Sequence, residues 1–321
     1  MGKLYVTAIQ NSGGSYGHRL TDVAAAYLFA EWLGGELLAD KTWGDPFLEP
    51  FNITQGLRPV SVLKGVEKRT RYYVRSSWYG MRYEWAKEIE EEILQLASES
   101  DVLFVLKDAC RVTLANLRNW YHRGKIDKDV YTPVLHDLRE RFYERNPEPT
   151  GRLGFADVRV ACFIRRAFMA YTRDYAGNSI EFYKALIAEL KGALAGRRVL
   201  FTFFTQEYDS DDVKELAELP GVNVIYGGDY AQNMRDLAYA DIYVGSHSSS
   251  STWAAYFSTG VVLVPTDGDE EVSISKQAMK GMDHVVYPEN FIPVAPDGTF
   301  SHVGLMEKLD RLGKLSEVVL V

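Results

Sequence analysis

Apolar positions in this chain gather in short unbroken runs. KLYVTAIQ (3–10) comes first, followed by DVLFVL (101–106), VRVACFI (158–164), RRVLFTFF (197–204), VNVIYG (222–227), DIYVGS (241–246) and VVLVP (261–265). A strand with one wet face alternates apolar and polar residues. A strand covered on both faces carries a continuous apolar run, as strands of a parallel sheet between two helical layers do. Stretches with helical spacing fall between the runs, so the pattern predicts an α/β fold.

The second half is the more regular. It predicts a strand over 157–164, a helix over 178–194 with Asn178 or Ser179 as N-cap and Gly196 as C-cap, and a strand over 198–204. A helix over 210–218, a strand over 222–226, a helix over 231–238 and a strand over 241–245 follow, then a helix over 249–258 and a strand over 261–265. This is a doubly wound, Rossmann-like succession, in which ligands sit beyond the carboxyl ends of the strands. The first half predicts a strand at LYVTAIQ, an alanine-rich amphipathic helix over 19–33, a short strand at ELLA, an acidic helix over 84–98 and the strand DVLFVL. ERNPEPTGRLG (144–154) breaks the chain, with Pro147, Pro149, Gly151 and Gly154 ending a charged helical run. The expectation is two Rossmann-like domains, 1–150 and 151–321, facing a cleft, with the C-terminal helix packing back on the first.

Composition narrows the classes. The 321 residues are 46% hydrophobic and 25% charged, as in a soluble globular protein. A net charge of −8 argues against a nucleic-acid binder, so an anionic ligand must meet a local basic cluster. Cys110 and Cys162 lie in apolar segments without metal spacing and are expected as buried free thiols. The N-terminus lacks the apolar core of a signal peptide, and no run approaches the roughly 18 residues of a membrane span. Gly2 is not followed by Ser or Thr at position 6, which is Val6, so myristoylation is not expected. These features predict a soluble, cytoplasmic protein.

Four stretches carry candidate chemistry. In NSGGSYGHRLTD (11–22), Gly13, Gly14 and Gly17 stand between a strand and a helix, where backbone N–H groups can meet an anion. His18, Arg19 and Asp22 crowd the same corner. The spacing is not the GxGxxG of a dinucleotide site, and Asp40 is a poor match for its ribose-binding acid, so cradle and plain turn both stay open. In FIRRAFMAYTRDY (163–175), Arg165 and Arg166 leave a buried strand at its carboxyl end, a costly place for charge without an anion or carboxylate partner. In GSHSSSSTW (245–253), Ser246, His247 and Ser248 to Ser251 offer hydroxyls and N–H groups at a helix start. In FTFFTQEYDSDD (201–212), Thr205, Gln206 and Glu207 end a strand, while the acidic run reads as a helix entry with Ser210 or Asp211 as N-cap. The aromatic stretch RYYVRSSWYGMRYEW (71–85) fits either core packing or a sugar-stacking surface.

Taken in order, these segments resemble the GDP-fucose-dependent fucosyltransferases: the α-1,2-, α-1,6- and protein O-fucosyltransferase superfamily of GT-B architecture. The carriers are GGSYGHRLTDVAAAYLFAEWLGGELLAD, FIRRAF at the family's HxRRxD position, the strand ending in a DSDD stretch, and SHSSSSTWAA. The resemblance covers most of the chain, although 60–150 shows no correspondence. Phe163 stands for the motif's His, and Ala167 and Phe168 for its Gly and Asp, with Asp174 as a carboxylate further on.

The resemblance implies an inverting glycosyltransferase without metal or cofactor. Its donor would be a nucleotide sugar, GDP-fucose first, and its acceptor a glycan or other hydroxyl. Arg166 would hold the β-phosphate and assist the leaving diphosphate, with Arg165 beside it and Ser248, Ser249, Ser250 and Ser251 completing the phosphate site. Thr205 and Glu207 would lie near base and ribose. Gly14, Gly17 and Arg19 would touch the diphosphate from the opposite wall, with His18 or Asp22 as general base. A non-catalytic nucleotide-sugar or glycan-binding protein on the same scaffold, or a transferase with another donor, is the alternative.

Overall fold

The structure is a computed structural model, which describes residues 2–10, 16–44, 48–64, 67–72, 83–107, 127, 129–164, 179–205, 211–246, 248–265 and 290–315. Cys110, Arg165, Arg166, Asp174, Glu207, His247 and the aromatic stretch over 73–82 lie outside them, as does Gly14. The chain divides into two compact units, Met1–Pro147 and Glu148–Val321.

In the first unit the elements are β1 (Leu4–Ile9), α1 (Tyr16–Leu33), β2 (Glu36–Ala39), β3 (Arg58–Pro59), β4 (Glu67–Tyr72), α2 (Tyr83–Glu99), β5 (Val102–Lys107) and α3 (Tyr131–Arg145). The sheet order is β3-β2-β1-β5-β4, with every neighbouring pair parallel. α1 departs from the amphipathic expectation: from Leu20 to Ala30 every residue is buried. Its run Ala24-Ala25-Ala26 lets backbone approach backbone, and Phe29 meets Phe104 of β5 at 5.9 Å between ring centroids. The helix ends where Gly34 turns to φ +67° and the Gly35 N–H donates to the Ala30 carbonyl at 2.9 Å. A side chain resists that left-handed geometry. β3 and β4 are short or polar (EKRTRY), which is why the apolar pattern did not show them.

In the second unit follow β6 (Val158–Ile164), α4 (Ile180–Ala193), β7 (Val199–Thr205), α5 (Asp211–Ala217), β8 (Val222–Tyr226) and α6 (Tyr230–Tyr239). The chain continues through β9 (Ile242–Val244), α7 (Ser249–Phe257), β10 (Val261–Pro265), β11 (Phe291–Val294) and α8 (His302–Arg311). The parallel sheet runs β11-β10-β9-β6-β7-β8. Counted from β6, this is the 3-2-1-4-5-6 order of the doubly wound fold, and the order reverses between β6 and β9. The α/β class is therefore as expected, and the strand and helix bounds fall within about two residues of the sequence pattern.

Local signals explain the bounds. Ser179 caps α4, its Oγ accepting from the Phe182 N–H at 3.1 Å, Asp229 caps α6 through the Ala231 N–H at 2.7 Å, and Ser301 caps α8 through the Gly304 N–H at 3.1 Å. Val160, Cys162, Ile164, Phe201, Phe203 and Val244 fill the core. Cys162 is a buried free thiol, and burial pushes its pKa well up. The C-terminal helix α8 sends Leu305 and Leu309 into this same core. Its apolar stripe is covered within its own unit.

At the amino edge of the sheet, Arg159 of β6 forks onto Asp241. Nε donates to Oδ2 and Nη2 to Oδ1, both at 2.9 Å, and Lys314 Nζ lies 3.6 Å from Oδ1. This clamp ties β6 to β9 at the end opposite the crevice.

Candidate functional site

The crevice of a doubly wound sheet opens at the carboxyl ends of the strands where the order reverses, here β6 and β9. Cys162 pairs with Val244 in that register. Continued by two residues, the register sets Ile164 against Ser246, and Arg165 and Arg166 follow Ile164 directly in the chain.

On the β9 side the serines divide the work. Ser248 is the N-cap of α7, its Oγ accepting from the Ser251 N–H at 3.0 Å. Ser251 is fully buried and turns inward: its Oγ accepts the Ser246 N–H at 2.6 Å and lies 2.6 Å from the Tyr243 hydroxyl. Tyr243 is itself buried, which drives its pKa upward. Ser250 is also buried, and the side chain of Ser249 lies outside the described residues. Of the four serines expected at a phosphate, Ser248 and Ser251 thus have structural partners.

What remains open is chemically specific. The N–H groups of Ser249 and Ser250, in the first turn of α7, have no acceptor within the helix, and the helix dipole adds partial positive charge there. Ser246 Oγ is buried and makes no hydrogen bond among the described residues. Such an orphan costs about 1–3 kcal/mol unless a ligand or water takes it. Sequence reasoning placed Ser246 only within a run of hydroxyls; the stronger signal was its position as the second residue after a core strand.

Thr205 ends β7, buried, its carbonyl accepting the Gly227 N–H at 2.7 Å. It borders the carboxyl edge through its backbone.

In the first unit, α1 begins at the carboxyl end of β1. Gly17 is buried and its carbonyl accepts from Thr21 Oγ at 2.7 Å. His18 and Arg19 are half-buried, whereas Asp22 is fully buried. His18 and Asp22 stand four apart, on one face of the helix. Beside them in the chain, the Gln10 N–H donates to Thr42 Oγ at 3.4 Å, and Thr42 donates from N and Oγ to Asp40 Oδ1 at 2.9 and 2.7 Å. Asp40 therefore shapes the turn after β2. Among the described residues, no group of three or more His, Cys, Asp or Glu side chains is placed to hold a metal ion. No described helix is long and apolar enough to cross a membrane.

No protein-family model matches the chain, and no curated protein does. Solved structures give distant likenesses. A NodZ α-1,6-fucosyltransferase soaked with GDP-fucose aligns over 81% of this chain and 94% of its own, at 12% identity and a TM-score of 0.42. A UDP-GlcNAc 2-epimerase from Methanocaldococcus jannaschii aligns over 90% and 67%, at 10% identity and a TM-score of 0.37. Likenesses at this distance share an outline only, and the functional reading rests on the strand order and side chains of this chain.

Proposed function

We propose that the chain is a glycosyltransferase that moves a sugar from a nucleotide diphosphate donor to a hydroxyl of a glycan or other acceptor, with inversion at the anomeric carbon. The motif resemblance names GDP-fucose as the donor. The observation that carries the reading is the switch point of the second unit. An orphan buried hydroxyl, Ser246 Oγ, and the first turn of α7 flank the strand end from which Arg165 and Arg166 follow. Hydroxyl and N–H donors at a strand edge, with two arginines next in the chain, suit a diphosphate.

The acceptor oxygen attacks the anomeric carbon as the bond to the β-phosphate oxygen breaks, and negative charge grows on the leaving diphosphate. Arg166, Arg165 and the α7 N–H groups stabilise that charge more in the transition state than in the ground state, so the arginines supply the charge a metal otherwise brings. In the first unit His18, half-exposed, takes the acceptor proton. Asp22, buried one turn along the same face, holds the imidazole. Arg19 and the glycines Gly14 and Gly17 serve the donor from that unit.

A thermal-shift screen over GDP-fucose, other GDP-sugars, UDP-sugars and dTDP-sugars tests the reading. At a hundred times its dissociation constant a bound donor adds about 2.7 kcal/mol of stability. The screen is followed by assay of free GDP. Stabilisation with GDP release, both lost in Arg166→Ala, is the expected result. Stabilisation without release would make the protein a binding module, and an Arg166→Ala protein with full affinity and turnover would end the account.

A further inference from the structure

We propose that Arg152 selects the base of the nucleotide, favouring guanine and uracil, whose O6 and O4 carbonyls stand where adenine and cytosine carry an amino group. This rests on the diphosphate reading above and adds a specificity residue to it. In the 3-2-1-4-5-6 order the pyrophosphate lies at strand 1, and the nucleoside extends over strands 2 and 3. Those strands are β7 and β8.

Their carboxyl ends meet at Thr205 and at the turn Gly227-Gly228-Asp229 that leads into α6. Gly227 and Gly228 take φ +63° and +84°, a turn that side chains disfavour. Arg152 comes from the start of the second unit and reaches this turn. Its Nε donates to Asp236 Oδ2 at 2.7 Å, while Nη2 lies 2.6 Å from the same oxygen and donates to Asn233 Oδ1 at 3.0 Å. Its Cζ stands 5.7 Å from the ring centroid of Phe204. Asn233 in turn donates from Nδ2 to the Gly227 carbonyl at 2.9 Å, which joins the arginine to the turn.

Two features make this more than an anchor for the chain. Asp236 is wholly buried and neutralises the guanidinium, so the group offers no surplus charge for a phosphate. It offers hydrogen-bond donors instead. Nη1 makes no hydrogen bond among the described residues, and it lies 3.7 Å from where a Cβ on Gly228 would stand. The side chain is 27% exposed. A fixed pair of N–H donors matches guanine O6 and N7 or uracil O4, whereas the amino groups of adenine and cytosine set donor against donor.

The test is calorimetric titration of the full chain with GDP, UDP, ADP and CDP. The wild type is expected to bind GDP and UDP about tenfold or more tighter than ADP and CDP. It is also expected to lose about tenfold on 2-aminopurine riboside diphosphate, which lacks the O6 carbonyl. Arg152→Lys keeps a cation beside Asp236, and the double variant Arg152→Met with Asp236→Leu removes the pair without stranding a charge. Both are expected to bring GDP and UDP down to the level of ADP and CDP, whose affinities stay put. A merely structural arginine would weaken all four alike. Equal binding of all four by the wild type, indifference to the missing O6, or a preference that survives in a folded variant would overturn the role of Arg152 and leave the diphosphate site standing. A wild type that binds none of the four would remove both.

Discussion

The Tyr243 hydroxyl lies 2.6 Å from Ser251 Oγ, and the same oxygen accepts the Ser246 N–H at 2.6 Å. One serine therefore joins the interior of β9, the residue that leaves the strand, and the first turn of α7. A candidate phosphate site needs its donors fixed before the ligand arrives, because donors that reorganise on binding forfeit part of their stabilisation. Ser251 supplies that fixity from below.

Ser251→Ala should consequently damage both stability and affinity. It removes the acceptor of a buried N–H and the partner of a fully buried phenol, a loss of about 2–4 kcal/mol by urea denaturation. Nucleotide titration of the folded fraction should show at least about tenfold weaker GDP binding, since 1.4 kcal/mol of lost preorganisation suffices. Ser248→Ala removes only the cap and should cost about 1 kcal/mol. Equal losses for the two variants would show that Ser251 does no more than a cap.

Stability should fall as the pH rises above about 9. Burial pushes up the pKa of the Tyr27 and Tyr243 phenols and of the Cys162 thiol, outweighing the opposing pull of Arg141 at Tyr27 and of the Ser251 hydrogen bond at Tyr243. Unfolded, a thiol titrates near 9.0 and the phenols near 10.0. Below those values both states hold the protons and no difference arises. Above them the unfolded chain releases protons that the native one retains, so unfolding gains. Lys314 opposes this, because burial lowers its pKa and the native state sheds that proton first, but it is one group against these three and the Tyr239 phenol, whose pKa burial also raises. Urea midpoints at pH 8 and pH 10.5 check the sign. Tyr243→Phe should flatten the slope, and a wild type equally stable at both values would refute the assignment.

The second unit was legible because its strands are covered on both faces and its helix starts carry Ser179, Asp229, Ser248 and Ser301. The first unit was less so. α1 is enclosed along most of its length, so its apolar pattern marks burial more than a face, and β4 is a polar strand that no hydrophobic period reveals. Within the site, five serines and threonines in a row announced a helix start but not its division of labour. That depends on Tyr243 from the strand, whose phenol no spacing rule connects to Ser251. Arg152 was invisible for a similar reason: its partners Asn233, Asp236 and Phe204 lie some fifty to eighty-four residues away in the chain.

Asp241→Ala should separate stability from binding. The substitution strips Arg159, at 26% side-chain exposure, of a bidentate partner and leaves Lys314 beside it without a counter-charge. Breaking a buried pair from one side costs about 3–5 kcal/mol, and the partial exposure of Arg159 puts this case at the lower end. The clamp stands at the amino edge of the sheet, the crevice at the carboxyl edge. Urea denaturation should register the loss while GDP affinity at low temperature, measured on folded protein, stays within about twofold, as expected for sites this far apart with no shared partners.

His18 and Asp22 should respond in opposite ways to the same two measurements. His18 is half-exposed, and His18→Gln should leave the melting temperature nearly unchanged. Turnover should fall by about 10²–10⁴-fold with GDP affinity retained, because a general base acts on the acceptor's proton and not on the diphosphate. Asp22 is fully enclosed, and Asp22→Ala removes a buried carboxylate together with the polar interaction it takes part in, so stability should drop by more than about 1 kcal/mol. Asp22→Asn keeps the volume and removes the charge that the proposed mechanism sets beside the imidazole, and it should shift the acidic limb of the pH–rate profile while lowering turnover less than His18→Gln. A His18→Gln enzyme with wild-type turnover and an unmoved profile would place the base elsewhere and reduce Asp22 to a packing residue of α1.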